Sequence, residues 1–90
     1  MKPPSPYPLA VALGAGWRWL WDSPRDTTVI LHRSGLWFEV TTEAVMGIGA
    51  ADAAVLAAAI YAAVAAGKVG HHGIEVTRRG EDISAIVVPA

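Results

Sequence analysis

Residues 53–66 read AAVLAAAIYAAVAA, a run without one charged side chain that ends against Gly67. Alanine is the best helix former, and a glycine just past the last turn is a common stop signal. The run predicts a helix. It has no polar face, however, and a helix that is apolar all round is one that is covered all round. A chain of 90 residues rarely has enough material to wrap a helix completely, so the sequence points to a partner, first of all a second copy of itself. Ala54, Ala58, Tyr61 and Ala62 are the candidate interface residues on this helix.

Composition agrees with that reading. Apolar residues make up 53% and charged residues 17%, where an ordinary soluble domain carries about 25% charged residues. The formal net charge is −1, so no global field draws the chain to nucleic acid or to an anionic membrane. There are no cysteines, which removes disulfides and thiolate metal sites from consideration. A cytoplasmic protein or a virion component fits this composition. Leu9 to Ala15 is an apolar stretch behind Lys2, but Pro3, Pro4, Pro6 and Pro8 fall where a secretory signal needs its helical core, so no leader is expected. The alanine run does not reach the roughly 20 apolar residues that span a bilayer. Upstream of it lie Asp52, Gly49 and Gly47, and no membrane association is expected.

Working outward from the helix, residues 1–8 read as a Pro-rich extended arm and 9–90 as one domain. Residues 17–21, WRWLW, alternate with period two and place Trp17, Trp19 and Trp21 on one strand face. Asp22 to Asp26 make a turn by composition, TTVILH at 27–32 is β-branched and apolar, Arg33-Ser34-Gly35 turns the chain, and LWFEVT at 36–41 is a third strand. Glu43 to Met46 suggest a short helical turn. The long helix opens around Asp52, an N-cap or first-turn acid. Residues 68–73 read as a glycine-punctuated loop. The C-terminus reads as a hairpin, 74–78 and 83–88 around a turn at 79–82, ended by Pro89. The fold expected is α+β: a small antiparallel sheet in the chain order β-β-β-α-β-β with one long Ala-rich helix packed on it.

In the third strand Leu36, Phe38 and Val40 oppose Trp37, Glu39 and Thr41. In the last, Ile83, Ala85 and Val87 oppose Ser84, Ile86 and Val88. Ile86 and Val88 therefore add apolar area to the face away from the helix. Both helix and sheet have more apolar surface than one core uses, and at ~25 cal/mol per Å2 covering a few hundred Å2 contributes several kcal/mol to assembly. Trp17, Trp19, Trp21 and Trp37 join the candidate interface, because tryptophan supplies large contact area to cores and interfaces alike.

Reaction chemistry is sparse. His71-His72 between glycines lacks a carboxylate at ligand spacing, and a solvated polar loop accounts for it better than a metal site. Gly47-Ile48-Gly49 and Gly14-Ala15-Gly16 lack the strand context and the third glycine of a phosphate loop. No serine sits in a histidine–acid pattern. The sequence is read as non-enzymatic, with no catalytic residue, no metal and no cofactor.

Nucleic acid is the alternative partner. The tryptophans are able to stack on bases, with Arg18, Arg33, Arg78 and Arg79 as phosphate contacts, although acids are interleaved among them. A local resemblance supports this alternative. Val76-Thr77-Arg78-Arg79-Gly80, followed by the apolar residues 83–88 and Pro89, resembles the hairpin that ends the DNA-binding domain of Phd/YefM-type antitoxins, and Val64-Ala65-Ala66-Gly67 is similar to that family's preceding helix end. The resemblance implies a dimeric transcriptional regulator that binds operator DNA and neutralises a toxin. The connector from Gly67 to Val76 is longer than the family's, and the helix carries no basic residue. The principal expectation is a small structural or interaction protein that self-associates or docks into a larger assembly, such as a particle subunit, a decoration component or a connector component.

Overall fold

A computed structural model of the chain describes residues 7–22, 24–41 and 48–90. The elements run α1 (Tyr7–Leu13), β1 (Trp17–Asp22), β2 (Thr27–His32), β3 (Leu36–Thr41), α2 (Ala50–Ala65), β4 (Gly70–Arg79) and β5 (Asp82–Pro89). The five strands form one sheet in the order β1-β2-β3-β4-β5. Both helices contribute to the core on one of its faces.

The alternation read in the strands sets the faces. Trp17 pairs with His32, Trp19 with Ile30 and Trp21 with Thr28, and beyond them Ile30 pairs with Phe38 and Thr28 with Val40. These residues share the inner face. Ile30, Leu36 and Phe38 are fully buried there, joined by Leu9 and Leu13 of α1 and by Ala53, Leu56, Ala57, Ile60 and Ala63 of α2. The α2 residues recur at three- and four-residue steps, which is one stripe of a helix. Ile74, Ile83, Ala85 and Val87 of β4 and β5 pack on the margin of this core, half-buried.

Helix α2 ends as the sequence leads one to expect. Gly67 takes the left-handed conformation, φ +76°. Its N–H donates to the Val64 carbonyl at 3.0 Å, while the Lys68 N–H reaches back to the Ala63 carbonyl at 3.1 Å. This pair of bonds satisfies two of the carbonyls that a helix end leaves open. At the other end Gly49 is the N-cap, with no side-chain cap hydrogen bond. Asp52 therefore lies in the first turn, complementing the helix dipole there, and α2 begins at Ala50.

The structure corrects the sequence reading at three points. The sheet is mixed, because β3 and β4 run parallel, Leu36 against Gly70 through Phe38 against His72. Parallel neighbours need a long crossover between them, and the segment that contains α2 provides it. Secondly, Tyr7–Leu13 is helical, so the end of the expected extended arm belongs to α1. Proline in a first turn is compatible with a helix, since the N–H it lacks would have no intrahelical partner. Thirdly, the expected loop 68–73 is shorter, and β4 already begins at Gly70. The turn expected at Glu43 to Met46 lies outside the described residues.

Candidate interface

The face of α2 turned away from the core is alanine. Ala51, Ala54, Ala58, Ala62 and Ala65 are exposed, and Asp52 is the sole charged residue on the helix. A surface of methyl groups is smooth, which lets a second helix or strand approach closely. Tyr61 interrupts it but is engaged within the chain. Its hydroxyl donates to the Leu13 carbonyl at the end of α1 and accepts from the Trp17 indole N–H at 3.3 Å. Its ring meets Trp17 edge-on, with centroids 6.0 Å apart. Tyr61 thus ties α1, β1 and α2 together.

Strands β1 and β5 are the two edges of the sheet. They differ in protection. Charges such as Arg18 and Asp22 on β1 discourage pairing with another chain, whereas β5 reads DISAIVVP with one charge at its first position. An unguarded, regular edge strand is a template for a further strand. Helix α2 packs against β5. Between them runs an apolar groove of about 300 Å3, with Ala59 and Ala62 on the helix side, Ala85 and Val87 on the strand side, and Lys68 contributing to the wall. Ile86, which also borders the groove, is 61% exposed. No residue of β4 or β5 is fully buried.

The sequence-derived candidates separate into groups. Ala54, Ala58 and Ala62 share the exposed face of α2 beside the groove. Trp17 and Trp19 pack on the chain's own core. Trp21 is half-buried on that same side, and its indole N–H is buried without a partner among the described residues. Trp37 faces the other way and stacks on His71, ring centroids 4.0 Å apart and planes within 5°. The four tryptophans do not form one surface.

The arginines also divide. Arg78 donates to Asp52 at 2.5 Å, which fastens the β4–β5 tip to the start of α2. Arg79 follows it at the turn. Arg18 and Arg33 lie at the opposite end, where the β2–β3 turn meets the start of β4 through the Gly70 N–H and the Gly35 carbonyl at 2.9 Å. The intervening helix is about 24 Å long at 1.5 Å per residue, so the four do not make one phosphate track. His71 and His72 point to opposite faces of β4, and the His72 Nδ1 lies 3.2 Å from the Gly70 carbonyl oxygen. Among the described residues no group of three His, Cys, Asp or Glu side chains is placed to hold a metal ion, and no helix is long and apolar enough to cross a membrane.

Comparison of the chain with protein-family models, with curated proteins and with solved structures finds no match.

Proposed function

We propose that this chain is a non-enzymatic assembly module that binds a second copy of itself through α2 and the open edge of β5. The observation that carries this reading is the exposed alanine face of α2 lying directly beside an unguarded edge strand, with an apolar groove between the two. One two-fold operation uses all three features. Two β5 strands pair antiparallel and continue the sheet from one subunit into the next, and the two α2 helices come together above the seam. Alanine contacts allow interaxial distances near the short end of the usual range, about 8 Å. The near-zero net charge, −1, sets no electrostatic barrier against like copies. The partner would then cover the half of α2 that the chain's own core leaves bare. A homo-oligomer of this kind suits a subunit or connector of a larger particle.

Sedimentation equilibrium tests the reading. The wild-type chain is expected to associate in the micromolar range, and Ala62→Glu, which puts a carboxylate into the seam, is expected to be a folded monomer. A wild-type chain that stays monomeric at high micromolar concentration overturns it.

The second reading is an antitoxin-type dimeric DNA-binding regulator. It is favoured by one observation, the β4–β5 hairpin turning at Gly80 (φ +61°) with Arg79 exposed beside it. It draws less support from Arg78, whose charge is met by Asp52, and from α2, which has no cation to offer a phosphate. Binding to duplex DNA that weakens steeply with log salt would favour this reading.

A further inference from the structure

We propose that the cleft at the Gly16 end of the β1–β2 pair is a binding site for a small organic phosphate. The cleft has a volume of about 510 Å3 and is lined by Trp17, Arg18, Leu31, His32 and Arg33, with Gly16 and Gly35 at its margins. That volume falls within the span of small-molecule sites, about 300–1,000 Å3. It lies at the edge of the sheet opposite β5, so it does not depend on the assembly reading.

His32 gives the cleft its chemistry. The residue is 9% exposed, and its ring is fixed on two sides. Trp17 packs against it with ring centroids 4.5 Å apart, and Trp17 is itself held by the Tyr61 hydroxyl. On the other side the Ser34 backbone N–H donates to the His32 Nδ1 at 3.2 Å, and the Ser34 hydroxyl lies 2.8 Å from the same nitrogen. An Nδ1 that accepts leaves the ring proton on Nε2. That N–H has no hydrogen-bond partner among the described residues. A Cβ at Gly16 would lie 3.9 Å from it, so glycine at that position leaves the donor uncovered on the cleft side. The donor is open on that side, and an anionic oxygen in the cleft would accept from it.

Two guanidinium groups line the same cleft. Arg25 and Arg78 are matched by Glu39 and Asp52, at 2.8 and 2.5 Å. Arg18 and Arg33 have no acidic partner among the described residues, and both line the cleft. Two forked cations and one neutral N–H donor suit the several oxygens of a phosphate, which arginine binds in bidentate fashion. Leu31, on the same strand face as Arg18, gives an apolar wall for the organic part of the ligand.

NMR titration of the full chain at fixed pH tests this, with inorganic phosphate, phenyl phosphate and a short single-stranded oligonucleotide as the probes. Phosphate and phenyl phosphate are expected to move the His32 ring and the Arg18 and Arg33 side-chain resonances together, with phenyl phosphate binding more tightly. Arg33→Ala and Arg18→Ala, both exposed positions, are each expected to weaken binding about tenfold, as loss of one charge-assisted contact does. Arg25→Ala, whose guanidinium is already paired elsewhere, is expected to leave it unchanged. The proposal is overturned if neither phosphate moves His32, if Arg33→Ala and Arg25→Ala behave alike, or if only the oligonucleotide binds while the His32 ring stays unmoved.

Discussion

The meander β1–β3 and the hairpin β4–β5 belong to one sheet and are held in different ways. In the meander, every second residue of β2 is buried, and Ile30, Leu36 and Phe38 have no exposed surface at all. In the hairpin, the longer strands pair from His72 against Pro89 to Arg79 against Asp82, yet none of their residues is fully buried. The hairpin joins β3 only over Gly70 to His72 and then leaves it. Its free end is attached to α2 by the Arg78–Asp52 ion pair. The meander owes its stability to side chains removed from water, and the hairpin to backbone pairing with a half-covered margin. The difference locates where the molecule has capacity left over. The meander has buried most of its apolar side chains, Leu20 of β1 at 47% exposure being an exception, while Ala85, Ile86 and Val87 of β5 adjoin open surface.

Truncation should break the two regions unequally. Phe38→Ala removes the largest fully buried side chain and is expected to cost about 3–5 kcal/mol, a large part of the whole stability of a small domain. Urea denaturation should show a collapse of the midpoint. Ile83→Ala in the hairpin removes a half-buried side chain, and about 1–2 kcal/mol is expected from the smaller area lost. Equal losses at the two sites would remove the distinction. Asp52→Asn deletes the ion pair at the hairpin tip. Because Arg78 is half exposed, its effect on global stability is expected to stay below about 1 kcal/mol. The change should instead appear as faster amide exchange at residues 76–79 than in the wild type.

Much of this was legible in residue patterns. The alternation of Leu36, Phe38 and Val40 against Trp37, Glu39 and Thr41 assigned the faces of β3, because a strand face is decided by period two alone. The same holds for Ile83, Ala85 and Val87 in β5. The helix stop at Gly67 was legible because only a residue tolerant of positive φ suits that position. Pairing direction was not, since nothing in the residues of β3 or β4 records that the two lie side by side with α2 between them in the chain. Helix α1 was hidden by prolines, which mark an extended segment and a first helical turn equally well. The start of β4 was hidden by Gly70 and Gly73, which mark a loop unless a neighbouring strand pairs there. For the candidate interface, the bare face of α2 was evident from the lack of charge, while its place beside the β5 edge needed the sheet order. The cleft at His32 was not legible at all. Its parts come from two strands whose register brings residues 16–18 and 31–35 together, and its open donor is defined by a bond from Ser34 that composition does not reveal.

Hydrogen exchange measured at two protein concentrations tests the self-association most directly. The β5 amides that do not bond to β4 face the open edge. They are expected to exchange rapidly in dilute solution and to gain protection as concentration rises, together with α2, while the meander is unchanged. Protection of those amides that is the same at both concentrations, in a chain whose meander stays folded, would contradict assembly through β5.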